Sequence, residues 1–318
     1  MRRLTQPARL AGMLIILALS SACATPFQTL GIRESPPDIP PQVELSSTPF
    51  YPQLKYYCGP AVLAALANYR GIDVVPEDIA PLIYIPNMQG SLQEEVIAAA
   101  RRFNLLPVQL DGNLESIFRE IAAGNPVLVL QNLGFDFYPR WHYAIVIGYD
   151  LNEETIVLRS GTRERLVRSF SLFERTWQRG GHWSLAIVTP GQVPVSVNAE
   201  RFINTLIEFE QTSDSYPAYQ GYLSAATKWP SNVLVRMGLG NTAYALGDFR
   251  QSEDAYKDAL RLSPDMAEAW NNLAYALAQQ GKSDESLEAI NRALKISPDD
   301  DNYLDSRDEL KQWSSISN

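Results

Sequence analysis

Shifted against itself by 34 residues, the C-terminal third of the sequence superposes Leu239 on Leu273, Gly247 on Gly281, Ala259 on Ala293 and Pro264 on Pro298. A period of this length marks stacked supersecondary units, none of which can bury its apolar face alone. The segments "LGNTAYALGDFRQSEDAYKDALRLSPD" and "LAYALAQQGKSDESLEAINRALKISPD" each read as two helices, with Gly at the turn and Pro closing the second. One further step back puts Pro230 on the same position, with Tyr222 and Ala225 on those of Tyr256 and Ala259. Residues 199–231 therefore read as a degenerate first unit, and "NYLDSRDELKQW" as a polar helix that closes the stack. This part of the chain has to be all-helical.

The pattern resembles the tetratricopeptide repeat, with units over about 199–231, 232–265 and 266–299 and a capping helix, together spanning 199–318. That resemblance implies a concave groove that receives a protein partner. "GLGNTA", Gly238 to Ala243, also fits a Gly-x-Gly-x-x-Ala dinucleotide fingerprint, but it lies inside a repeat helix with no strand before it. No cofactor is expected. The formal net charge of −9 and the absence of a basic tract beyond the extreme N-terminus also speak against nucleic acid as a partner.

The other end of the chain reads as an export signal. Arg2, Arg3 and Arg9 precede the short apolar run "LAGMLIILAL", a signal-peptide pattern over residues 1–22. It runs into "SSAC", which resembles the lipobox of bacterial lipoproteins, although Ser20 stands where Leu is commoner. The resemblance implies lipidation of Cys23 and attachment to the cell envelope of a Gram-negative bacterium. With Ala24 following, the implied place is the outer membrane, facing the periplasm. A disulfide between the chain's two cysteines, Cys23 and Cys58, is the alternative for an exported protein. Four prolines in "ESPPDIPPQVELSS" suit an extended tether over residues 23–47.

Between tether and repeats, residues 48–190 change from helix-like spacing ("CGPAVLAALANYRG", "SLQEEVIAAARRFN", "LESIFREIAAGN") to β-rich runs ("PVLVLQNL", "HYAIVIGYD", "ETIVLRSGT", "WSLAIVTP"). Helices followed by strands make an α+β domain. "PGQVPVSV" then reads as a linker, so that deletion of the repeats should leave this domain folded. Within it, Cys58 stands at the start of a helix, with Pro60 acceptable in the first turn. The positive end of the helix dipole would favour a thiolate there. Only two histidines exist to serve as its base, His142 and His182, each at a strand entrance. Gln53 could place a side-chain amide near a developing oxyanion.

In Gln53 with "CGPA", then "GNPVLVL", then "HYAIVIGYD", the segment from about Pro49 to Pro190 resembles the papain-like peptidases that process bacteriocin leaders at double-glycine sites. The resemblance is to the form of that family found as exported homologues that carry tetratricopeptide repeats. The resemblance implies a papain-like α+β cysteine peptidase domain followed by an all-α tetratricopeptide domain, acting on a peptide or protein substrate. It also implies Cys58 as nucleophile, His142 as base and acid, and Gln53 as oxyanion group. The Gln-to-Cys spacing is one residue shorter than in many relatives. The Asp that orients the histidine in that family is missing: "LRSGT" puts Ser160 or Arg159 near the slot, with Asp150 and Asp136 as substitutes the sequence does not place. Helix dipole and imidazolium together lead to the expectation of an ionised thiol at neutral pH.

Overall fold

The protein is described by a computed structural model covering residues 25–52, 57–212 and 214–316. Its central layer is an antiparallel seven-stranded sheet of β1 (Gln42–Glu44), β2 (Leu106–Gln109), β3 (Val127–Asn132), β4 (Trp141–Asp150), β5 (Thr155–Ser160), β6 (Arg163–Ser169) and β7 (Ser184–Val188). The strand order is β2-β7-β3-β4-β5-β6, and β1 pairs with the C-terminal half of β4 where β3 has ended. Helices cover both faces, so β3, β4 and β7 are buried on both sides, which explains continuous apolar runs such as "VLVL" and "LAIV".

One face carries α2 (Cys58–Tyr69), α3 (Pro76–Ile83) and α4 (Gln93–Arg102), packed on Leu128, Leu130, Tyr143, Ile145, Leu185 and Ile187. The other carries α1 (Phe27–Glu34), α5 (Leu114–Ala122) and α6 (Phe170–Gln178), packed on Val127, Val129, Ala144, Val146, Ala186 and Val188. Alternate residues of each strand thus serve the two cores.

The tether expected over 23–47 is instead folded from residue 25 onward. At the start of α1, the Gln28 N–H, the Thr29 N–H and the Thr29 hydroxyl all donate to the buried Glu174 carboxylate, which satisfies the helix's orphan donors. Ile32 joins the core, and the Pro40 and Pro41 carbonyls accept from Tyr149 Oη and the Leu151 N–H. The prolines keep this stretch extended, as expected, but hydrogen bonds fasten it to the domain. Residues 1–24, with the signal peptide and Cys23, lie outside the described residues.

The C-terminal helices are α7 (Ala199–Glu210), α8 (Ser215–Lys228), α9 (Val233–Ala245), α10 (Phe249–Leu262), α11 (Ala267–Ala278), α12 (Ser283–Ile296) and α13 (Asp301–Ile316). A Cβ on Gly238 would stand 2.1 Å from the Tyr222 ring, and one on Gly240 would stand 2.4 Å from the Tyr256 ring. Those glycines admit a neighbouring helix, not a phosphate. Phe202, Leu206, Phe209, Tyr222 and Leu239 belong to the same apolar cluster as Val127 and Phe118, so sheet domain and first repeat helices share one core. The linker expected at "PGQVPVSV" is pinned as well: Glu120 accepts from the Ser196 N–H and hydroxyl, and Lys228 Nζ donates to Pro194 O.

Candidate active site

The helix α2 begins at the cysteine, and its residues Gly59 to Ala67 are all buried against the sheet. Gly59 leaves room for a neighbour, since a Cβ there would meet Ser91 Oγ at 2.5 Å. The Cys58 sulfur accepts a hydrogen bond from the backbone N–H of Tyr143, and the N–H groups of Gly59 and Cys58 itself lie against it.

Strand register explains why the Tyr143 N–H is available. Leu133 N–H donates to Arg140 O, and hydrogen-bonded and non-bonded pairs alternate from there along β3 and β4. The Gln131–His142 pair therefore exchanges backbone bonds, whereas Tyr143, opposite Leu130, turns its N–H toward the β5 side. There β5 leaves β4: the pairing runs from Asp150↔Thr155 to Ile145↔Arg159 and goes no further. Cys58 sits against the edge this opens.

His142, the second residue of β4, is half-buried, and its Nε2 lies 2.8 Å from Ser160 Oγ on β5. By strand alternation both side chains belong to the face of Ala144 and Leu158, opposite that of Tyr143. The sulfur is thus tied to the backbone of the residue after the histidine, and His142 pairs with Ser160 on the other face of the same two strands, where β5 parts from β4.

The electrostatics run against the expected ion pair. Burial pushes the Cys58 thiol up, and the surrounding N–H groups only partly offset it. Burial, with the Arg140 charge adding to it, holds His142 down at about 4. At neutral pH both groups are uncharged, so the resting site is a thiol and a neutral imidazole. No carboxylate among the described residues hydrogen-bonds the ring.

The rival positions are occupied otherwise. Arg159 points away from Ser160 and is buried, donating to the carbonyls of Ser46, Thr48 and Glu164. It anchors the turn that follows β1, a role that alternation along "LRSGT" could have suggested. Asp150 closes the turn at the far end of β4 by accepting from the Asn152 and Glu153 N–H groups, and Asp136 is exposed in the β3–β4 hairpin. His182 precedes β7 at φ 53° with its ring 4.8 Å from that of Trp177, and β3 and β4 stand between β7 and β5. Gln53 lies outside the described residues. Among the described residues, no group of His, Cys, Asp and Glu could hold a metal ion.

Comparison with known proteins gives residues 45–184 as a match to the Peptidase_C39 like family and residues 217–301 as a match to the tetratricopeptide repeat model. A putative C39-like peptidase from Bacillus anthracis is 20% identical over 46% of this chain and 97% of its own, with a TM-score of 0.39. The first tetratricopeptide domain of Spaghetti (RPAP3), solved bound to an HSP90 peptide, is 15% identical over 38% of this chain and 94% of its own, with a TM-score of 0.35. The peroxisomal targeting signal receptor of Candida albicans is 37% identical over 81 residues. That is 24% of this chain and only 14% of the receptor's length. The chain therefore carries an α+β domain that matches the Peptidase_C39 like family, followed by tetratricopeptide repeats.

Proposed function

We propose that the protein is a membrane-tethered cysteine peptidase that hydrolyses a peptide bond in an envelope protein or peptide, with Cys58 as nucleophile and His142 as its base. The observation that carries this reading is that the Cys58 sulfur, at the start of a buried helix, is held by the backbone N–H of Tyr143, the residue next to the Ser160-paired His142. The reaction uses the tautomer in which Nε2–H donates to Ser160, which leaves Nδ1 with the lone pair. As the sulfur attacks the scissile carbonyl carbon, His142 takes the thiol proton, so charge appears only during the reaction. The α2 N-terminal N–H groups, with Gln53, stabilise the developing oxyanion. Imidazolium then protonates the leaving amine, and water, deprotonated by the same ring, hydrolyses the thioester. The repeats recruit substrate or a partner protein.

Anchoring is assigned to a lipidated Cys23. No helix of the described residues is long and apolar enough to cross a membrane. Replacing Cys23 with Ser and fractionating the cells tests this: the protein should leave the membrane fraction, and unchanged partition would refute lipidation. The peptidase reading is tested by comparing envelope peptides in wild-type and Cys58→Ala cells. Uncut substrate should accumulate in the variant. The lack of a carboxylate on His142 favours a second reading, a peptide-binding module without turnover, and identical peptide profiles would select it.

A further inference from the structure

Beside His142, the β3–β4 hairpin carries a group of aromatic side chains that the chemistry does not use. Phe135 is 67% exposed, Phe137 87%, Tyr138 71% and Trp141 58%, and the rings of Phe135 and Phe137 stack at 5.3 Å. Such a cluster marks a surface that meets something apolar.

We infer that this hairpin lies in the interface of a lipid bilayer and turns the peptidase site toward the membrane. This rests on the anchored-peptidase reading, and three observations point to lipid as the occupant. First, the hairpin satisfies much of its own backbone below the two tip residues: Phe135 and Tyr138 exchange both N–H···O bonds, Leu133 N–H donates to Arg140 O, and the Asn132 side chain bonds Gly134, Arg140 and Phe135. A hairpin paired internally up to its tip can enter a bilayer interface. An extended peptide partner would instead need free backbone groups to pair with.

Second, the chain's start lies at the same end of the sheet. Gln28 bonds Gly112 O and the Leu114 N–H, Gly112 packs on His182, and the next residue, Trp183, accepts from Leu130 N–H, two residues before the hairpin base. The far end of α1 is tied by Arg33 to Glu154, at the opposite end of β4. Cys23 precedes the exposed Phe27 by four residues, a reach of at most about 14 Å. An acyl chain there and the aromatic tip would meet one surface. Third, the residues are of the interfacial kind: Trp and Tyr beside Phe, flanked by Arg140, with Arg179 donating to the Asn132 carbonyl at the hairpin base. Aromatic side chains of such elements sit about 5–10 Å into the headgroup boundary.

The test uses the full, acylated chain in vesicles of phosphatidylethanolamine and phosphatidylglycerol, in a Cys58→Ala background so that peptidase activity plays no part in the readout. An environment-sensitive fluorophore is attached at Phe137→Cys, or at Asn152→Cys at the opposite end of β4. The inference requires a blue shift, a several-fold rise in emission and quenching by shallow lipid-borne spin labels at position 137, with none of these at 152. Vesicle-bound protein with equal, water-like emission at both positions overturns the inference and leaves the anchor standing. Protein that does not partition to vesicles at all overturns both. Should Phe137→Ser weaken cleavage of a soluble peptide while position 137 stays unquenched by lipid, the hairpin belongs to the substrate and the inference fails.

Discussion

The reactivity of Cys58 is set by residues whose effects oppose one another. A helix N-terminus and three nearby N–H groups favour the thiolate, but burial outweighs them. His142, held at about 4, offers no standing positive charge above acid pH. Iodoacetamide alkylation of Cys58 should therefore be slow at pH 6 and climb as pH rises past the ordinary thiol range. Ser160→Asp supplies the missing carboxylate 2.8 Å from Nε2 and should raise the imidazole's pKa, stabilise the ion pair and speed alkylation at pH 6–7. Equal rates in the two proteins would show that Ser160 does not govern the ring. The helix start at Cys58, the strand entrance at His142 and the nearness of Ser160 to it were legible from motif order and spacing. The charge state of thiol and ring was not, because burial of Cys58 and His142 arises from packing by α2 and β4 that no local pattern reports. The Arg159–Ser160 alternative was likewise open until the strand's alternation sent one inward to the Ser46 and Thr48 carbonyls and the other to His142.

Among the elements, the repeat helices are the best specified by sequence, because their period records a contact repeated between neighbours. Gly240→Ala separates the two demands on one position. Helix propensity favours Ala by about 1 kcal/mol, whereas the added methyl meets the buried Tyr256 ring at 2.4 Å, an overpacking that costs about 1–3 kcal/mol. Packing should win, and urea unfolding should show a net loss of stability; a gain would mean the helices have room. Between repeats, Glu253 on α10 is the tie to follow. Burial alone would raise its carboxyl, but hydrogen bonds from Lys257, Lys282 and Gln280 bring it down to about 2. Its unfolded-state value is near 4.5, so its contribution is complete above that pH and is lost as pH falls toward 2. Glu253→Gln should flatten the acid limb of thermal stability between those values; an unchanged limb would place the acid sensitivity elsewhere. By contrast, the N-terminal proline stretch misleads a sequence reading, since extended backbone looks the same whether it spans solvent or is fastened to a core.

At the scale of the whole molecule, sheet domain and repeats are one folded body at their junction. Ending the chain at residue 198 would strip Phe202, Leu206, Phe209 and Tyr222 from the cluster that contains Val127 and Phe118. The resulting fragment should aggregate or melt early. A chain ending at residue 231, which keeps α7 and α8, should retain more of its stability, and thermal melts of the two lengths compare them. If the shorter fragment melts like the full protein, the shared core contributes nothing. The shared core fixes the first repeat helices to the sheet domain. The account stands or falls on acyl transfer at Cys58. An activated peptidyl nitrophenyl ester should acylate Cys58 in a single-turnover burst, seen as a thioester on that residue by mass spectrometry. His142→Ala should slow the burst by about 10²–10⁴-fold for loss of the general base, and His182→Ala should leave it unchanged. A thioester that forms equally fast without His142, or a burst that survives Cys58→Ala, would contradict the assignment.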